Sequence, residues 1–206
     1  ASKSQLEEHL AAGYESRSYY DALQVRIDYA EKVYGWWKDD TRKANFVNLL
    51  RTAIDTANEK MTDWSLTTLQ LKAAVTALNN RINNVDKKIY CSGSACGTDA
   101  QLSNPSSQWS YERSLQSKHW VLFWEAGYGT DVPSAVPEIL DNADKIFEFY
   151  ANDLKFITIN QGKSKTDSYK MIIRLRETSE WEASGSGIDN TIGLLTLSNG
   201  AHTSRS

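Results

Sequence analysis

From Leu23 onward the apolar residues fall at Leu23, Ile27, Ala30, Tyr34 and Trp37. This 4-3-4-3 ladder keeps one face apolar for about four turns of helix and fits no strand. A second run carries Phe46, Leu49, Leu50, Ala53, Ile54, Ala57 and Met61, and a third carries Leu71, Ala74, Val75, Leu78, Ile82 and Val85. Between them stand "KDDT" and "TDWS". There Asp40 or Thr41, and then Asp63 or Ser65, can accept from the free N–H groups at the next helix start. The spacing predicts an up-down-up bundle of three helices. A shorter helix over about residues 3–12 is expected to precede it and to pack Leu6, Leu10 and Tyr14 against it.

Past residue 85 the pattern changes. Residues 86–116 are dominated by Ser, Gly, Asn and Gln, with Pro105 among them, and read as a linker or irregular entry segment. "KHWVLFWEAGYG" predicts a strand over 118–125 ended by a glycine turn. "SAVPEILDNADKIFEFYANDL" predicts an amphipathic helix from about Ser134, with Val136, Ile139, Leu140, Ala143, Ile146, Phe147 and Tyr150 on its apolar face. "YKMIIRLRE" predicts a strand over 169–176, with Met171, Ile173 and Leu175 alternating against Lys170, Arg174 and Arg176. "GSGIDNTIG" reads as a glycine loop and "TIGLLTLS" as a third strand. The expected fold class is α+β, a helical bundle over 1–87, a linker over 88–116, and a small, incomplete α+β domain over 117–206.

A net charge of -3, spread rather than blocked, removes the clustered Lys and Arg that phosphate binding needs, so no nucleic-acid partner is expected. No run approaches the roughly 18 apolar residues of a membrane span. The start "ASKSQLEEHL" has no apolar signal core, so export would imply a leader already removed. The cysteines, Cys91 and Cys96 in "CSGSAC", are spaced too widely for a metal knuckle or a CxxC redox motif. Two readings stand, a pair of free thiols or a local disulfide. The disulfide would be a clip worth about 2 kcal/mol and would place the protein in an exported compartment, periplasmic, cell-surface or secreted.

Several residues invite chemistry. In "YGWWKDD" the adjacent Trp36 and Trp37 point to different sides of a helix, so one covers the core and the other is left to stack on a sugar ring. Two "WEA" tripeptides put Trp124 beside Glu125 and Trp181 beside Glu182 at strand or loop ends. That is a way to mount a glycosidase carboxylate pair near a stacking surface, or simply two solvated strand-end acids. His119 opens a hydrophobic strand as a ligand, a base or a hydrogen-bonded core-edge residue. "GSGIDNTIG" lacks the Lys-Ser/Thr ending of a phosphate loop. His9, His119 and His202 include no pair at i, i+4, so no metal site is expected within this chain.

"LLRTAIDTANEKM", the start at Trp64 and "LQLKAAVTALNNRINNV" resemble the FIVAR type of module, over about residues 18–87. That resemblance implies a spacer on an exported bacterial protein that handles glycans or the cell envelope. "HWVLFWEAGYGTD", "ILDNADKIFEFYANDLKFI", "YKMIIRLRETSEWEASGSGIDNTIGLLTLS" and "HTSRS" resemble the front part of an exported bacterial family with a zincin-like peptidase fold. In that family the strand matching "GLLTLS" precedes a helix bearing His-Glu-x-x-His, which binds zinc and activates water. This chain has no such helix. The resemblance implies a piece or a shortened relative of a zinc-dependent hydrolase acting on peptide or glycoprotein, inactive as it stands and without a cofactor of its own. It also implies that the last strand is the sheet edge, with Gly193, Leu194 and Leu195 offered to an extended substrate. An uncovered sheet would favour a homodimer. A carbohydrate-binding accessory module using Trp36, Trp37, Trp124 or Trp181 is the other reading, and a small glycosidase using Glu125 and Glu182 a third.

Overall fold

A computed structural model describes residues 3–90, 98–159, 164–189 and 191–198; before residue 15 it describes side chains only at Gln5, Glu7 and Gly13. The chain divides into two units, Ala1–Asp86 and Lys87–Ser206. No helix is long and apolar enough, among the described residues, to cross a membrane.

The first unit is the expected three-helix bundle, α1 (Lys3–Trp37), α2 (Ala44–Met61) and α3 (Thr68–Val85). Leu23, Ile27, Ala30, Val33 and Trp37 of α1 close on Val47, Leu50, Ile54 and Ala57 of α2 and on Leu71, Leu78, Ile82 and Val85 of α3. Two expectations are corrected here. The short leading helix is the first part of α1, because a single Gly13 costs a helix only about 1 kcal/mol and neither proline nor cap interrupts it. In α2 the apolar stripe is wider than the contact face. Packing selects Val47 for the core and leaves Phe46 and Leu49 exposed.

The helix starts also move. Asp40 caps a short 3-10 turn at Thr41–Lys43, while α3 is capped by Thr67, whose hydroxyl accepts from Gln70 N as the Gln70 side chain accepts from Thr67 N. At the far end of α3, Asp86 accepts from the Tyr29 hydroxyl at 2.7 Å and from Trp37 Nε1 at 3.3 Å.

The second unit is α+β. Its elements are β1 (Lys88–Ile89), α4 (Asp99–Leu102), β2 (Ser114–Gln116), β3 (Trp120–Trp124), α5 (Val136–Glu148), β4 (Tyr169–Arg176), β5 (Ala183–Ile188) and β6 (Ile192–Ser198). The sheet order is β2-β3-β4-β6-β5, and β1 adds a short parallel pairing at the start of β4. β3, β4 and β6 run parallel, and β2 and β5 are antiparallel flanks. One face packs Val121, Phe123, Ile172 and Leu194 against Leu102 and Trp109. The other packs Leu122, Trp124, Ile173 and Leu175 beneath Val136 and Leu140 of α5.

Three sequence readings are overturned. The stretch 88–116 is not a linker, since it supplies β1, β2, Leu102 and Trp109 to the sheet and its core. Its irregular backbone is held from within by buried Arg113, which donates to the carbonyls of Pro105, Ser107 and Gln108. The glycine loop "GSGIDNTIG" is largely strand, because β5 and β6 form a hairpin that turns at Asp189, where φ is 48°. β4, buried on both faces at the centre of the sheet, lacks the solvent face that alternation implied.

Candidate functional site

His119 sits at the amino end of β3, stacked on Phe147 of α5 with ring centroids 4.1 Å apart. Its Nδ1 lies 2.7 Å from Lys87 Nζ and its Nε2 3.1 Å from Glu148 Oε1. One tautomer satisfies both contacts: Nδ1 accepts from the ammonium and Nε2–H donates to the carboxylate. Glu148 also takes Lys118 Nζ at 2.6 Å. Beside them Asp144 accepts from Ser117 Oγ and from the backbone N–H groups of Lys118 and His119. Fully buried Lys170 donates to the Ser117 carbonyl at 2.6 Å.

Burial first, and then the Lys87 charge, push the His119 imidazole down to about 3. Burial pushes the Asp144 carboxyl up against those hydrogen bonds. This cluster joins β3, β4 and α5. With both ring nitrogens engaged, His119 is a tie. Among the described residues no group of three His, Cys, Asp or Glu side chains can hold a metal, so the zinc implied by the zincin resemblance finds no fitting donor set there. His202, Cys91 and Cys96 lie outside the described residues, as does the side chain of His9.

At the opposite, carboxyl ends of the strands the two "WEA" carboxylates share one guanidinium. Arg176 Nη1 donates to Glu182 Oε2 at 2.9 Å, and Arg176 Nε stands 3.9 Å from Glu125 Oε1. Glu125 accepts further from Gln108 Nε2 at 2.7 Å and from the Glu177 N–H at 2.8 Å. The Glu182 N–H donates to buried Ser198 Oγ at 2.7 Å. The structure thus brings Glu125 and Glu182 together around Arg176 at the end of β4, and the Glu182 backbone N–H ties in the end of β6.

At this end the Glu177 carboxylate lies over Gly127, in the space a Cβ there would occupy. Burial, and then Glu177 and Glu125, raise the Tyr128 phenol above its usual value. Gln108, Glu177, Tyr128 and Arg176 escaped the sequence reading. Only the charged end of "RLRE" hinted at them.

The substrate-edge expectation needs correction. Gly193, Leu194 and Leu195 belong to β6, which is paired on both sides, with β4 and with β5. The edge is β5. Ser198 N–H donates to the Glu182 carbonyl while the Glu182 N–H turns to Ser198 Oγ, so the backbone groups of the alternate residues Ser184 and Ser186 face β6 as well. The N–H and C=O groups of Ala183, Gly185 and Gly187 therefore point outward. All three are exposed.

On the α5 side of the sheet a cleft of about 400 Å³ lies beside this edge, with Ile173, Leu195 and Leu197 as its floor and Ile139 and Ala143 of α5 as its wall. Ala183 and Gly185 stand opposite Leu197 and Leu195, and so raise little side chain between the cleft and the edge.

The tryptophans separate by burial. Trp37, 5% exposed, and Trp124, 1% exposed, are core residues and offer no face to a sugar, against the sequence expectation. Trp37 lies under the Lys43 ammonium, and Trp124 Nε1 donates to the Gly129 carbonyl at 2.9 Å. Trp36 is half-buried with its edge toward Tyr29. Trp181, 65% exposed, stands free beside Glu182.

Residues 81–206 match the family model DUF6055, described as a family of unknown function. No curated protein and no solved structure matches the chain.

Proposed function

This chain belongs to the DUF6055 family, and from that premise we propose that it is part of an exported bacterial zinc-dependent hydrolase of peptide or glycoprotein, without catalytic activity of its own. Residues 87–206 supply the substrate-facing front of a zincin-like α+β domain, and the helical unit serves as a FIVAR-like spacer. The observation that carries the reading is the edge that β5 forms among the described residues, where three small residues turn their backbone groups outward beside an apolar cleft. Such an edge takes an extended chain by strand addition, with the ladder giving affinity and the neighbouring cleft taking alternate side chains.

Gly185→Pro tests this directly. The Gly185 N–H faces away from β6, proline is tolerated on edge strands, and a Cβ there meets only Leu195 Cδ2, at 3.7 Å. Extended peptides are expected to shift the amide resonances of β5 in the intact chain, and to bind about tenfold more weakly to the variant while its circular dichroism is unchanged. Undiminished binding by a folded variant would remove β5 as the docking edge.

One observation favours a second reading, glycan contact through Trp181. Its exposed ring stands next to the planar Glu182–Arg176 pair. Polysaccharide is then expected to quench tryptophan emission of the intact chain but not of Trp181→Ala. A flat titration of both proteins removes the reading.

A further inference from the structure

Among the described residues, the charges that frame the β5 edge are acidic apart from Arg176. The connection into β5 carries Glu177, Glu180 and Glu182, with Glu125 beside them, and the far end of the strand turns at Asp189. Arg176, the cation at the first end, is already bracketed by Glu182 and Glu125. Between the acidic ends lies "ASGSG", without lysine, proline or bulge. Sheet edges in proteins are ordinarily guarded by those devices, because an unguarded edge pairs with whatever strand it meets.

A second copy of the chain is a poor occupant. Antiparallel pairing of two β5 strands about Gly185 brings the Glu180–Glu182 end of one copy alongside Asp189 of the other, and does so at both ends. Like charges across a strand pair destabilise it. The small residues between the ends set no steric bar to a different strand. The bar is electrostatic, and a strand of opposite charge removes it.

We propose that the β5 edge is built for an extended peptide segment bearing lysine or arginine on either side of a short run of small residues. The inference rests on the strand-addition reading above and adds the chemical class of what is added. Small side chains suit the segment because Ala183, Gly185 and Ser184 stand low along the edge. Basic residues at its ends meet Glu180 on one side and Asp189 on the other. The contacts are solvent-exposed, so the preference is salt-sensitive and selects among strands rather than supplying the whole affinity.

The probes are three synthetic peptides with one Ala/Ser/Gly core, ended by lysines, by glutamines or by glutamates, titrated into the full chain. Binding is read from β5 amide shifts and from anisotropy of a dye on the peptide. The lysine-ended peptide is expected to bind on the order of tenfold more tightly than the glutamate-ended one at low salt, with the difference collapsing in about 1 M salt, where the screening length falls to about 3 Å. Glu180→Gln with Asp189→Asn is expected to erase the preference while leaving the amide shifts in place, since asparagine keeps the left-handed backbone at 189.

Equal binding of all three peptides, with β5 amides still shifting, overturns the charge preference and leaves strand addition standing. Absence of amide shifts with every peptide overturns strand addition, and this inference with it. A concentration-dependent dimer that protects the β5 amides from exchange overturns the argument against self-pairing. Polysaccharide that perturbs the β5 amides when no peptide does replaces the peptide with a glycan.

Discussion

Acidification is expected to destabilise the sheet unit by up to about 1.4 kcal/mol for each pH unit below about 6.5, through His119 alone, until the slope ends near the folded value of about 3. In the folded chain the imidazole stays neutral, because burial and the Lys87 ammonium oppose its charge. In the unfolded chain it takes a proton at its ordinary value. Between the two the unfolded state binds more protons, so stability must fall as pH falls. Glu148, whose carboxyl is held below its usual range by Lys118 and His119, works in the same direction; its stabilisation is lost as pH drops through that lowered value.

Asp144 works in the opposite sense. Its raised folded value means that protonation relieves a cost as pH falls, which softens the lower part of the slope. Lys87 and Lys118 are the cations whose proximity opposes protonation of the ring. The test is His119→Gln, whose amide oxygen can accept from Lys87 while its NH₂ donates to Glu148. Hydrogen exchange of the β3 and β4 amides between about pH 6.5 and pH 4 should show a steep loss of stability in the parent and a shallow one in the variant. Parallel profiles would mean that the imidazole is not the group that resists the proton.

The second large effect separates two tryptophans that look alike in sequence. Trp124→Ala is expected to cost about 3–5 kcal/mol, because it empties a fully buried site between the sheet and α5 and strands the Gly129 carbonyl that its indole N–H serves. Trp181→Ala, in the second "WEA", is expected to stay within about 0.5 kcal/mol of the parent, since its ring meets water. Chemical denaturation followed by far-ultraviolet circular dichroism decides the matter. Similar midpoints for the two variants would contradict the placement of Trp124 in the core. A soluble, folded Trp124→Ala chain that had lost only glycan affinity would return that residue to the surface.

Much of the helical unit was legible because a 3.6-residue period writes the buried face directly into the sequence, as Leu23, Ile27, Ala30 and Trp37 show. The phase of α2 was not, since Phe46, Val47, Leu49 and Leu50 are all apolar and only contact with α1 and α3 selects among them. In the second unit the aromatic β3 and the amphipathic α5 were recognisable from their own residues. β5 was not, because Gly and Ser have low strand propensity in isolation. Its strand character comes from the ladder it shares with β6. The same limit hid the roles of 88–116, where Leu102 and Trp109 belong to a core assembled from residues some ten to ninety positions away.

The candidate site divides along the same line. Local pattern marked Glu125, Glu182, Trp124 and Trp181 as polar and aromatic groups at strand ends, and His119 as the head of a strand. It could not say that Arg176 would stand between the two glutamates, that Lys87 and Glu148 would close on His119 from both sides, or which tryptophan would be buried. By itself the sequence determined the two classes of structure, the helices with their inward faces and an α+β order of elements, because those depend on periodicities within a few turns or pleats of chain. Only the tertiary structure decided that β6 lies inside the sheet and β5 at its edge. Strand order and edge exposure are set by hydrogen-bond pairing between segments distant in sequence, and no local pattern carries that information.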